Sequence, residues 1–126
     1  LGELVIEKGA VVPLLSIDDG GYELICRLDK EPSEINDLVI VKNGEFPLVV
    51  KKVAYFFDLE SLIYWSAKEI GIDSMLEPGN YMVTINGFRV FEGARVIRAG
   101  YEFVAKQVEE ISPASGVIDA CMRVLL

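Results

Sequence analysis

Residues 29–37, DKEPSEIND, carry the highest density of acidic side chains in the sequence, and we call them the acidic loop. Pro32 interrupts strand pairing, so we expect a loop with at most one helical turn starting near Ser33. Carboxylates at this density attract a basic protein and steer its association. A solvated connection without function is the alternative. The acids that would contact a partner are Asp29, Glu31, Glu34 and Asp37.

The candidate apolar anchors for the same partner are Tyr64, Met82 and Phe91, and Arg89 is a candidate polar contact. Tyr64 lies off the apolar stripe of a predicted helix. The other three fall on one face of a hairpin predicted around Asn86-Gly87. That face is too apolar for water alone, so it is either covered by another element or recognises a partner.

The composition argues against most catalytic and metal chemistry. The sequence has no histidine, which removes the commonest general base and a common metal ligand. No glycine-rich phosphate loop is present, and Cys26 and Cys121 lie in apolar stretches typical of buried free thiols. We therefore predict no catalytic residue, no metal and no cofactor, and a protein that is not an enzyme.

Turn-forming dipeptides separate several pairs of apolar segments. Asn-Gly suits the two-residue turns of β-hairpins, because both residues accept positive φ angles. We therefore expect an antiparallel sheet built from successive hairpins. The predicted turns are Asp19-Gly20, Asn43-Gly44 and Asn86-Gly87, and the predicted strands are 4–7, 11–17, 22–28, 38–42, 46–50, 53–57, 80–85, 88–92 and 94–98.

One helix is predicted at 59–70, where apolar residues recur with helical spacing after an N-cap at Asp58. A helix is also favoured for 101–111, although alternate residues there would equally suit a strand. The segment 114–126 is open between a last helix and a closing strand. The expected fold class is α+β, with the antiparallel sheet packed against these helices.

The chain has 126 residues, of which 52% are apolar, so we expect a single globular domain, 1–126. The net charge is −8, and the ten acids and four bases of residues 1–50 account for −6 of it. A chain this acidic is a poor match for nucleic acid. No apolar stretch reaches the roughly 18 residues of a membrane span, and no secretory signal is evident. We expect a cytoplasmic protein, provided that nothing preceding Leu1 was removed.

Three functions fit these observations. The first is a small acidic binding protein, of the inhibitor or immunity type, that neutralises a basic enzyme such as a nuclease. The second is a subunit of a homo-oligomer that pairs through strand edges or the apolar C-terminus. The third is a small-molecule binder or enzyme that uses an arginine and a carboxylate. A pocket lined by both would favour it, and its candidates are Arg89, Arg95, Arg98, Glu92 and Asp73.

Overall fold

The computed structural model describes residues 2–14, 22–56, 72–117 and 120–124, and more than half of this part of the chain is strand. Its helical residues are confined to one short helix and one 3-10 turn. The elements in chain order are α1 (Gly2–Glu7), β1 (Glu23–Leu28), η1 (Asn36–Leu38), β2 (Val39–Val50), β3 (Tyr55–Phe56), β4 (Ile72–Asp73), β5 (Gly79–Glu92) and β6 (Arg95–Val108).

The main sheet is built on the hairpin of β5 and β6, two 14-residue strands that pair antiparallel. Its turn is Gly93-Ala94, and Gly93 has a φ of 65°, a left-handed conformation that glycine adopts without steric cost. β2 pairs antiparallel with β5, and β1 pairs in parallel with β6, giving the strand order β1-β6-β5-β2. β3 and β4 form a separate two-stranded sheet.

Both faces of the hairpin are buried along its middle, where consecutive residues, which point to opposite sides of a strand, are inaccessible to solvent. One face packs into the hydrophobic core under the C-terminal segment, where Tyr101 Oη donates a hydrogen bond to the Met122 carbonyl at 2.6 Å. The opposite face carries Asn86 and Glu102 and lies under the acidic loop, whose η1 contacts β5. The core face carries Tyr81, Val83, Ile85, Tyr101, Phe103 and Ala105.

The predicted α+β class is wrong, because the described chain is mainly β-sheet. The segment 101–111 is strand β6 as far as Val108 and not a helix. The residues of this segment alternate as in a strand. Tyr101 and Phe103 lie on the core face of β6, and Glu102 between them lies on the opposite face. The predicted helix at 59–70 lies outside the described residues, and the described part of 114–126 contains no helix.

Both Asn-Gly pairs lie inside strands, so the hairpins predicted around them are wrong. A Cβ on Gly87 would lie 2.5 Å from Val41 Cγ2 and 2.9 Å from Val124 Cγ2, so glycine is required there by packing and not by a turn. Gly44 lies at a β-bulge of β2, where the register of pairing with β5 shifts. Local turn propensity was overridden in both places by contacts between distant residues.

Two further strand predictions were corrected near the N-terminus. Residues 4–7 belong to helix α1, whose Ile6 is buried in the core. The hairpin predicted around Asp19-Gly20 would pair 22–28 with 11–17, but β1 pairs with β6 instead. Residues 11–14 are not strand, and the predicted turn lies outside the described residues.

Segments near both ends of the chain cover the outer edge of β2. The Val49 N–H donates to the Gly9 carbonyl at 2.7 Å. The N–H groups of Ser115 and Gly116 donate to the Glu45 carbonyl at 2.9 and 3.1 Å. Covered strand edges cannot pair with another chain, so this edge gives no support to assembly through strand pairing.

The cysteines are both free, but only one is half-buried. Burial, with a smaller effect from the charge of Glu31, raises the pKa of the Cys26 thiol to about 11. Cys26 is therefore protonated at neutral pH and is a poor nucleophile. Cys121 is exposed, so its predicted burial is wrong. Within the described residues, no helix has the length and apolar character needed to span a membrane.

The close approach of β1 to β6 depends on Gly100. A Cβ at this position would clash with the backbone carbonyl of Glu23 on β1, which cannot move without breaking the parallel pairing. We expect Gly100→Ala to lower the free energy of unfolding by about 3 kcal/mol in urea denaturation. Gly93→Asn is the control, because its Cβ meets nothing and Asn tolerates a positive φ. Equal losses in both variants would contradict this account of β1.

Candidate functional site

A buried carboxylate, Glu102, lies on the sheet face that the acidic loop covers. Its side chain is 2% exposed and accepts hydrogen bonds from three side chains. Arg27 Nε and Ser33 Oγ donate to Oε2 at 2.9 and 2.8 Å. Asn86 Nδ2 donates to Oε1 at 3.2 Å. We call Arg27, Ser33, Asn86 and Glu102 the Glu102 network.

Two opposing effects set the pKa of the Glu102 carboxyl. Burial raises this pKa, because a buried carboxylate loses hydration. The hydrogen bonds from Arg27, Ser33 and Asn86, with the positive charge of Arg27, together outweigh burial and hold the pKa below its ordinary value of 4.5. Glu102 is therefore ionised at neutral pH and forms an ion pair with Arg27.

Arg27 connects this buried carboxylate to the main chain of the acidic loop. Its Nη1 donates to the carbonyls of Leu28 and Asp29 at 3.3 Å each and to that of Glu31 at 2.8 Å. A planar guanidinium can donate hydrogen bonds to the carboxylate from one nitrogen and to the carbonyls from another. The single nitrogen of a lysine ammonium cannot reproduce this geometry. The turn after β1 is thus wrapped around the Arg27 side chain.

Further hydrogen bonds tie the acidic loop to itself and to the sheet. Glu31 Oε1 accepts the Leu28 N–H at 2.8 Å, and the Glu31 N–H donates to the Leu28 carbonyl at 3.0 Å. The Asp29 N–H donates to the Ala105 carbonyl on β6 at 3.0 Å. Ile35 is fully buried and fixes the far end of the loop. These contacts hold the main chain of the loop against the sheet.

A cavity of about 220 Å³ is lined by residues of β1, β6 and the acidic loop. Three carboxylates and one guanidinium line it, so their formal charges sum to −2. Two apolar side chains, from Ile25 and Pro32, complete the lining. The charged residues that line the cavity are Arg27, Glu31, Glu34 and Glu102.

The predicted acidic residues are all exposed on this one loop, and two of them line the cavity. Of the apolar candidates, Met82 and Phe91 do not line the cavity. Met82 is 4% exposed and has almost no surface to offer a partner. Phe91 is 52% exposed near the tip of the β5–β6 hairpin, where the Arg89 guanidinium lies 5.2 Å from its ring centre. Tyr64 lies outside the described residues.

The three arginines named as candidates for a small-molecule site do not line the cavity. Arg98 donates two hydrogen bonds of 2.9 Å to the carboxylate of Glu23, and these bonds lower the pKa of that carboxyl. Arg89 stacks on Phe91, and Arg95 is exposed beside the hairpin turn. The arginine and buried carboxylate that do share a cavity are Arg27 and Glu102, which the sequence analysis did not select.

A sequence signal for this pair existed. Arg27 interrupts the apolar strand ELICRL, and Glu102 lies between Tyr101 and Phe103. A charged residue inside an apolar strand is rarely buried without a partner of opposite charge. Neither residue, however, indicates which distant strand carries its partner.

Comparisons with protein-family models, with curated proteins and with solved structures find no significant match for this chain. Among the described residues, no group of three or more cysteine, aspartate or glutamate side chains is placed to hold a metal ion.

The guanidinium of Arg27 should be required for the shape of the acidic loop. We expect Arg27→Lys to lower the free energy of unfolding by about 2 kcal/mol or more, because lysine keeps the charge but loses the forked hydrogen bonds. Arg98→Lys changes an exposed ion pair and should cost less than about 1 kcal/mol. Urea denaturation gives both values, and amide hydrogen exchange should accelerate in the acidic loop only for Arg27→Lys. Equal effects would contradict the role of Arg27.

The buried carboxylate should also make stability depend on pH. Because the folded-state pKa of Glu102 is lowered, its contribution is present above the unfolded-state pKa and is lost as pH falls through the folded-state pKa. We expect Glu102→Gln to cost about 3–5 kcal/mol near neutral pH, since it breaks a buried ion pair. The difference from the wild type should shrink below about pH 4.5.

Urea denaturation across this pH range measures the difference, with Glu110→Gln as a control at an exposed position. A loss in Glu102→Gln that stays constant with pH would contradict the proposed ionisation.

Proposed function

We propose that this chain is a small acidic protein-binding domain that binds a basic protein through the acidic loop. The observation that carries the proposal is the arrangement of four exposed carboxylates on a loop that is held by hydrogen bonds from Arg27 to its main chain and by the buried side chain of Ile35. The carboxylates are those of Asp29, Glu31, Glu34 and Asp37.

Preorganisation makes such a loop suited to binding. A flexible acidic segment would lose conformational entropy when it bound, whereas a loop already fixed by hydrogen bonds loses little. Arg27 holds the first turn of the loop, and Ser33 and Ile35 hold its far part against the sheet. These internal bonds leave the exposed carboxylates on a fixed surface.

The overall charge favours a basic partner. A net charge of −8 concentrated toward the N-terminal half accelerates the encounter with a cationic surface and disfavours acidic partners. An inhibitor or immunity-type protein that blocks a basic enzyme, such as a nuclease, fits this logic, because carboxylates can occupy a phosphate-binding surface. Two free thiols are in keeping with a cytoplasmic location, which forms part of the proposal.

An enzyme that uses Arg27 and Glu102 is less well supported than a binding protein. Both groups are engaged in hydrogen bonds that hold the loop, and Glu102 is kept ionised by its donors. A general acid would require a carboxyl whose pKa is raised toward neutrality, which is the opposite direction.

The proposal is tested with two variants of equal net charge. Asp29→Asn/Glu34→Gln/Asp37→Asn neutralises three positions of the acidic loop, and Glu77→Gln/Glu109→Gln/Glu110→Gln neutralises three exposed positions elsewhere. The immobilised wild type and control variant should retain the same basic protein from the native host, while the loop variant should lose it.

The association rate of that purified partner should then fall at least about tenfold between about 50 and 500 mM salt, as expected for electrostatic steering. Retention by the loop variant, equal loss from both variants, or a rate independent of salt would each contradict the proposal.

A further inference from the structure

We propose that the cavity beside the acidic loop receives one cationic side chain of the partner, with the guanidinium of an arginine as its ligand. This inference rests on the proposed function, because it assigns the chemistry of one contact with a basic protein. The cavity measures about 220 Å³, less than the roughly 300–1,000 Å³ of pockets for drug-sized molecules. A space of this size suits a single long side chain.

The lining has the polarity that an arginine side chain requires. Ile25 and Pro32 offer apolar surface to an aliphatic stem, while Glu31 and Glu34 supply negative charge for the cationic head. The charge of Arg27 is matched by Glu102, so the remaining −2 belongs to Glu31 and Glu34.

The buried wall of the cavity also calls for a hydrogen-bond donor. A carboxylate has about four acceptor positions, and Glu102 accepts three hydrogen bonds from described residues. Its side chain is 2% exposed and lines the cavity, and Oε1 accepts only the bond from Asn86 among the described residues.

A carboxylate position that lacks a donor favours a ligand that only donates, and a guanidinium carries five N–H groups and no acceptor.

The outer carboxylates are able to bind such a ligand without disturbing the fold. Glu31 uses Oε1 to accept the Leu28 N–H, and Oε2 accepts no bond from the described residues. Glu34 is exposed on the loop and accepts no hydrogen bond from the described residues. Replacement of both by glutamine keeps an acceptor for Leu28 and removes only the charge.

The experiment titrates a blocked arginine, Nα-acetyl-L-arginine methylamide, into the isotopically labelled protein and follows its NMR spectrum. We expect saturable shifts centred on Ile25, Pro32 and Glu34, while blocked citrulline, the uncharged isostere, should cause none. Glu31→Gln/Glu34→Gln should raise the Kd at least about fivefold. Asp29→Asn/Asp37→Asn removes the same charge outside the cavity lining and should change the Kd less than about twofold.

Three results would overturn the inference: no saturable shift in the wild type, equal shifts with blocked citrulline, or equal weakening in the two double variants. The comparison of arginine with citrulline uses the wild type, so it does not depend on any variant folding. The two proposals fail separately. Partner capture that depends on the acidic loop, without any arginine site, would retain the function and reject the cavity.

Discussion

The ion pair between Arg27 and Glu102 is the interaction on which the rest of the surface depends. It joins the edge strand β1 to β6 in the interior of the sheet. It also places an ion pair of zero net charge beneath a loop that carries several negative charges. Four carboxylates on one short loop repel each other, so such a loop tends to expand when nothing holds it. The guanidinium that neutralises Glu102 also binds the main-chain carbonyls of this loop, so one side chain both pairs the buried carboxylate and holds the loop in place.

The β5–β6 hairpin supplies the framework for this arrangement. Its two faces make different contacts. The core face packs against apolar segments from both ends of the chain, and the other face carries the polar pair Asn86 and Glu102. Asn86 and Glu102 lie directly opposite each other on adjacent strands. Asn86 donates to Glu102, and Ser33 of the acidic loop and Arg27 of β1 supply this carboxylate with further donors, which offsets the cost of burying its charge.

Sequence reasoning identified local features and missed those set by distant contacts. The acidic loop was recognised because Pro32 and its charges exclude regular structure. Alternation identified 80–85 and 88–92 as strand, but the turn predicted between them is wrong, because both segments belong to one strand. The Asn-Gly pairs led to wrong predictions, because the sequence does not distinguish a glycine required by a turn from one required by close packing. Gly87, which lies against Val41 and Val124, is of the second kind. Arg27 and Glu102 were missed, since a parallel pairing of β1 with β6 leaves no local trace in either segment.

The separation of these two residues along the chain has a consequence for the order of folding. Arg27 and Glu102 are 75 residues apart, and β1 has no partner in the main sheet until β6 exists. Closing a loop of this length costs entropy that only the completed pairing recovers, so contacts of this kind form late and slowly. During synthesis the N-terminal part emerges first and must wait for the β5–β6 hairpin before its acidic loop can take shape. The acidic loop therefore takes its final shape only after the chain has been synthesised beyond β6.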